Sequence, residues 1–248
     1  MMKQQTILFD LDDTLAHCNK YFDIVIEQFI DLMLTWYSGH ELTPADIRAK
    51  QLELDLAGVQ IHGFMAERFP QSFVETYRWY AERYDRTTSS DEEERLLALG
   101  HTVYAFTVEP YPHMSETLHT LQNDGHKLYL YTGGDAGIQM KKVRALGLDA
   151  FFQDRIFVTL HKTTEFMETL LHELELERSA TWMIGNSLRT DVLPALHAGI
   201  HAIHIPAERE WPYNIVDIDV TPRGAFLQLR SLLDVPAAIA GFARKAAL

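Results

Sequence analysis

The chain has 248 residues, 47% hydrophobic and 23% charged, which is enough apolar material for one large domain or a core with an inserted module and argues against general disorder. Lys and Arg total 22 against 35 Asp and Glu, a formal charge of −13; such a surface repels phosphate backbones and argues against nucleic-acid binding. The one cysteine, Cys18, excludes a disulfide scaffold and a cysteine-ligated zinc site.

No apolar run reaches the roughly 18 residues that span a bilayer. The first residues run into a strand rather than a signal peptide, so a soluble cytoplasmic protein with no membrane partner is expected. The first expected strand covers residues 6–9. From about 18 to 105 no strand pattern appears. Phe22, Ile26, Phe29, Met33 and Trp36 follow a helical stripe. Thr43 reads as an N-cap with Pro44 at the first helical position. Residues 72–84 are helical and aromatic-rich, and Ser90 opens a helix with acids at its N-terminal end. Pro110 and Pro112 punctuate the return to alternation. Expected strands at 127–131, 155–158, 181–184 and 201–205 alternate with helices, marked by Leu118 and Leu121, by Ile138 to Leu146, by Phe166, Leu170 and Leu174, and by Val192 to Leu196. The expected fold is α/β, a Rossmann-like doubly wound parallel sheet (residues 1–17 and 106–248) with an inserted α-helical domain (18–105).

The first strand runs straight into Asp10-Leu11-Asp12-Asp13-Thr14-Leu15. Alternate strand residues share a face, so Asp10 and Asp12 can point the same way at the carboxyl end, where open parallel sheets bind ligands. Two carboxylates there suit Mg²⁺, nucleophilic attack and proton transfer; the bland reading is an Asp-rich turn with Thr14 as a cap. Thr132, Gly133 and Gly134 follow the second strand and offer a hydroxyl and backbone N–H groups to a phosphate. Lys162 follows the third, a point charge suited to phosphate or to a carboxylate. Gly185, Asn186 and Ser187 follow the fourth, with Asp191 beyond; Asn186 and Asp191 carry oxygen ligands for a hard cation. Each piece alone has an ordinary turn or capping reading.

The ordered set, Asp10/Asp12, Thr132, Lys162 and Asn186/Asp191, each after an apolar strand, resembles the haloacid dehalogenase superfamily of phosphotransferases, with the helical insertion as its cap. That resemblance implies Asp10 as nucleophile, forming an aspartyl-phosphate. It implies Asp12 as general acid and then base, Thr132 and Gly133 as phosphate-holding residues, and Lys162 as the restraint on the nucleophile. Asp10, the Asp12 backbone carbonyl, Asn186 and Asp191 would form the magnesium end. Asn186 stands where the family often has Asp, which removes one formal negative charge; Asn186 is the expected direct ligand, with Asp191 holding a metal-bound water or binding directly.

The expected activity is a Mg²⁺-dependent phosphatase acting on a small phosphorylated metabolite. A dehalogenase is disfavoured because halide needs no acid such as Asp12. A phosphomutase, or a non-catalytic protein that binds a phosphoryl ligand or a partner, are the alternatives, the second motivated by Asn186. Among the twelve histidines no His-Glu-x-x-His pattern occurs; His201 and His204 read as structural, His17 as a residue that could face substrate, and Cys18 as a small apolar side chain. Trp79, Tyr80 and Tyr84 read as core of the helical insertion. Ile24, Ile30 and Leu34, off the main stripe, leave the oligomer open between a monomer and a cap-mediated homodimer.

Overall fold

Ile7, Leu8 and Phe9 have no exposed surface, because the strand that carries them lies inside a six-stranded sheet. A computed structural model describes residues 3–245. In chain order the strand β1 (Thr6–Phe9) is followed by four helices, α1 (Asn19–Trp36), α2 (Pro44–His62), α3 (Arg68–Arg83) and α4 (Ser90–His101). Then come α5 (Met114–Asn123), β2 (Lys127–Gly133), α6 (Ala136–Ala145), the short α7 (Asp149–Phe152), β3 (Ile156–Thr159), α8 (Thr164–Glu173) and β4 (Thr181–Gly185). The rest is a π turn (Leu188–Val192), α9 (Leu193–His197), β5 (His201–His204), β6 (Phe226–Gln228) and α10 (Val235–Lys245).

The sheet order is β3-β2-β1-β4-β5-β6 and every pairing is parallel. Alternation sends β1 residues to two cores: Ile7 and Phe9 pack with Leu118, Leu121 and Phe152, whereas Leu8 packs with Tyr129, Met167 and Leu196. Two covered faces make this the doubly wound sheet expected, and each fully buried Leu, Ile or Phe contributes roughly 1.5–3 kcal/mol. Strand β6 was not expected: it is three residues long, half-buried, and leaves little periodicity to read.

The chain divides into two compact units, residues 1–19 with 108–248, and residues 20–107. The second is helical and has its own core. Phe29 and Phe73 stack at 4.2 Å between ring centroids, and Tyr37, Tyr77 and Tyr80 are buried beside them. Thr43 starts α2 through a capping box: its hydroxyl accepts from the Asp46 N–H while the Asp46 carboxylate accepts from the Thr43 N–H.

Candidate active site

The loop after β1 carries three acids in four residues, and the fold treats each differently. Asp10 continues the sheet, its N–H donating to Ile184 O at 2.9 Å, so its side chain emerges at the strand end, 7% exposed. Asp13 turns the chain in the left-handed region, at φ 55°. Its carboxylate accepts from the N–H groups of Cys18 at 3.0 Å and Asn19 at 2.9 Å, and burial pushes it up to about 7. Asp13 therefore holds the loop. Asp12, half-buried between them, accepts from Lys142 Nζ at 2.6 Å and Gln139 Nε2 at 2.9 Å, both on α6.

Lys162, from the loop after β3, is 6% exposed and lies between two carboxylates. It donates to Asp10 Oδ1 at 2.7 Å and to Asp191 Oδ1. Asp191 Oδ2 accepts from the Ser187 N–H at 3.0 Å, so both Asp191 oxygens have donors. One ammonium against two buried carboxylates leaves an excess negative charge. Burial pushes the Asp10 carboxyl up to about 7, against the pull of Lys162 and with the push of Asp191; an opposite charge at contact distance raises Lys162 well above its ordinary value despite its burial.

Thr132, next to last in β2, is fully buried, its hydroxyl accepting from Gln139 Nε2 at 2.7 Å. Gln139 Nε2 also lies 2.8 Å from Gly133 O, so one amide ties the end of β2 to Asp12. Asn186, just past β4, faces Thr14: Thr14 Oγ1 lies 3.1 Å from Asp10 Oδ2 and 3.4 Å from Asn186 Oδ1. A hydroxyl has one proton, so one of these two oxygens is left without it. Asn186 is fixed elsewhere too. Its side-chain amide donates to Glu210 Oε1 at 3.2 Å, and its backbone carbonyl accepts from His204 Nε2 at 2.8 Å.

Asp10, Lys162, Asp191, Asn186 and Thr14 thus form one connected cluster, and Asp12, Thr132 and Gly133 a second one joined through Gln139. Gln139, Lys142 and Glu210 are partners that sequence reasoning did not single out. Gln139 and Lys142 are ordinary helix residues more than a hundred positions from Asp12, and Glu210 lies between β5 and β6 with no motif around it. His201 spends both ring nitrogens on backbone, Nε2 on Ser179 O at 3.0 Å and Nδ1 on the Ala225 N–H at 2.8 Å. His17 packs on Tyr111, ring centroids 4.5 Å apart.

A glyceraldehyde 3-phosphate phosphatase of Methanothermobacter thermautotrophicus is 24% identical over 212 residues, 82% of this chain and 86% of that protein. A pyrophosphatase PpaX of Halalkalibacterium halodurans is 24% identical over 203 residues, 80% and 82% of the two chains. The crystal structure of a haloacid dehalogenase-like family hydrolase from Xanthomonas campestris superposes with a TM-score of 0.80 at 26% identity, covering 99% of this chain and 94% of its own. The profile of the haloacid dehalogenase-like hydrolases matches residues 4–199, a span that holds β1 to β4 and every residue of the two clusters; Glu210, the partner of Asn186, lies beyond it. The chain belongs to the haloacid dehalogenase-like hydrolase family.

Proposed function

We propose that the protein is a Mg²⁺-dependent phosphatase that hydrolyses a small phosphorylated metabolite through an aspartyl-phosphate on Asp10. One observation carries this reading: a buried nucleophile candidate, Asp10, is held by Lys162 while a second carboxylate, Asp12, stands two residues on with separate partners. The relatives named as phosphatases support the reaction class. In this reading the carboxylate of Asp10 attacks phosphorus and the bond to the leaving oxygen breaks as Asp12 hands that oxygen a proton. Asp12 then takes a proton from the water that attacks the phosphoenzyme, releasing inorganic phosphate. Asp12 accepts from both Lys142 and Gln139, which presents it as the carboxylate the second half needs; its acid role requires the Lys142 contact to open.

The donor set fits Mg²⁺. Asp10 Oδ2 and Asn186 Oδ1 are hard oxygens turned to the same Thr14 hydroxyl, which can satisfy only one of them, and the buried cluster carries excess negative charge. Asp10, the Asp12 backbone carbonyl and Asn186 would hold the ion. Asp191, with Oδ1 on Lys162 and Oδ2 on the Ser187 N–H, holds Lys162 instead or meets the ion through water. When bound, the ion offsets phosphoryl charge. Thr132 and Gly133 hold the phosphate, Lys162 restrains Asp10, and residues 18–105 form the cap that selects the leaving group. A cytoplasmic location belongs to the same proposal; among the described residues no helix is long and apolar enough to cross a membrane.

The test is turnover of p-nitrophenyl phosphate by purified protein with Mg²⁺ and with chelator. Turnover with Mg²⁺ that the chelator removes is expected; none in either condition would sink the reading.

A further inference from the structure

The exchange of Asp for Asn in the fourth motif removes a carboxylate from the proposed metal end, yet a carboxylate stands directly behind the amide. Glu210 Oε1 accepts from Asn186 Nδ2 at 3.2 Å and from Asn214 Nδ2 at 2.8 Å, and Glu210 Oε2 accepts from the Ala207 N–H at 3.3 Å. Glu210 is therefore held in place by its own loop; it holds the Asn186 side chain, while His204 anchors the Asn186 backbone carbonyl. An amide has one nitrogen and one oxygen. With Nδ2 committed to Glu210, Oδ1 must face Thr14 and Asp10, where it lies 3.4 Å from Thr14 Oγ1. A carboxylate accepting from the N–H₂ also draws the amide toward its dipolar form, placing more negative charge on Oδ1, the oxygen a hard cation would meet.

We propose that Glu210 is a positioning residue for cation binding: it orients and polarises Asn186 and returns, one residue removed, the negative charge that the fourth motif lacks. The proposal rests on the Mg²⁺ reading above and extends it to a residue outside the span matched by the family profile. It also implies that an acid at position 186 does not by itself tighten the site. Restoring an acid at that position sets two carboxylates against each other across the present 3.2 Å contact, so the repulsion opposes the gain at the ion. Moving the acid inward should work only if Glu210 is neutralised at the same time, the amide N–H₂ then donating from position 210 to the new carboxylate.

The experiment is calorimetric titration of Mg²⁺ into wild type, Glu210→Gln, Asn186→Asp and the double variant, with melting temperatures in chelator and in Mg²⁺. Melting in chelator reports whether each variant folds; the rise on adding Mg²⁺ reports binding to the folded state without any need for turnover. Glu210→Gln should weaken Mg²⁺ about tenfold, the lower end of what losing a ligand's supporting carboxylate costs. Asn186→Asp alone should not tighten it. Asn186→Asp with Glu210→Gln should return affinity to wild type or better, a rescue that a mere loop-stapling role for Glu210 would not give. Glu210→Gln binding within twofold of wild type, or Asn186→Asp alone binding tenfold tighter, overturns the proposal. A wild type that takes up no Mg²⁺ overturns the metal reading itself and the role of Glu210 with it, so the two failures are told apart by the wild-type trace.

Discussion

The α/β unit and the helical unit each bury an aspartate, and burial pushes both up to about 7: Asp10 in the first and Asp55 in the second. Their surroundings differ. Asp10 sits at the end of β1, and its neighbours arrive from other strand ends: Lys162 after β3, Asn186 and Asp191 after β4. Asp55 sits within α2, and its compensating charge is Arg68 at the start of α3, itself tied to Glu75 on α3 at 3.1 Å. The charged groups that act on Asp55, Arg68 and Glu75, both stand on the next helix. A buried acid with a raised pKa is therefore not enough to mark a site. Convergence of charged and polar groups from distant strand ends is what separates Asp10 from Asp55.

The largest separation between the two acids should come from their amides. Asp10→Asn keeps the volume and removes the proposed nucleophile, so phosphatase turnover should fall by at least about 10³-fold while the melting temperature holds or rises, since a buried charge is gone. Turnover within tenfold of wild type would refute the nucleophile assignment. Asp12→Asn should lose about 10²-fold or more on alkyl phosphates. Its loss should be smaller on p-nitrophenyl phosphate, whose leaving group needs no proton; equal losses on the two substrates would argue against an acid role.

Two glycines extend the comparison. A Cβ on Gly185, at the end of β4, would stand 2.1 Å from Asp191 Oδ2 and 2.4 Å from its Cγ. Gly185→Ala must therefore displace Asp191, and with it the carboxylate that shares Lys162. A Cβ on Gly100, in α4, would stand 2.5 Å from the Pro70 Cα and 2.7 Å from its Cβ. Gly100→Ala must part α4 from α3, at a cost of about 1–3 kcal/mol by overpacking, which is several degrees of melting temperature. The first variant should lose turnover by more than its stability change explains, and the second should lose stability. Kinetics at saturating substrate beside thermal melts check both; Gly185→Ala with wild-type turnover would mean Asp191 does not need its present place.

The sheet was legible because β1, β2 and β4 are buried on both faces and so read as continuous apolar runs; Asp10, Asn186 and Asp191 were legible because they follow such runs, and Lys162 because it follows the partly buried but apolar β3. What escaped lacks that address. Strand β6 has only three residues. Gln139 and Lys142 lie on one turn of α6, where Gln and Lys are what any exposed helix face would carry, and only the fold brings them against Asp12. Glu210 belongs to an irregular stretch after β5, where spacing has no period from which to read a partner. The capping of α2 by Thr43 was readable for the opposite reason: the capping box closes within three residues, so sequence distance and spatial distance coincide.

The smallest expected effect concerns Asp55, and its sign follows from the direction of its shift. A carboxyl whose folded value is about 7 against an ordinary 3.8 holds a proton in the folded chain that the unfolded chain has already released at intermediate pH. Stability contributed by this group is therefore present below about pH 4, falls as pH rises, and levels off once the folded chain has also lost the proton, near pH 7. Asparagine at the same position does not titrate. Asp55→Asn should match or trail wild type at pH 4 and gain on it steadily up to pH 7. The shift, already net of the opposing pull of Arg68, formally corresponds to about 4 kcal/mol, and local relaxation with water entry should leave roughly 1–2 kcal/mol of it. Chemical denaturation of both proteins at pH 4.5 and pH 8, in chelator so that the α/β unit contributes equally, reads the difference directly. Asp10 and Asp13 titrate in both proteins and cancel. A gap between the two proteins that is the same at both pH values would show that Asp55 is ionised throughout, paired with Arg68, and that the helical unit keeps its buried charge as an ion pair instead of a neutral acid.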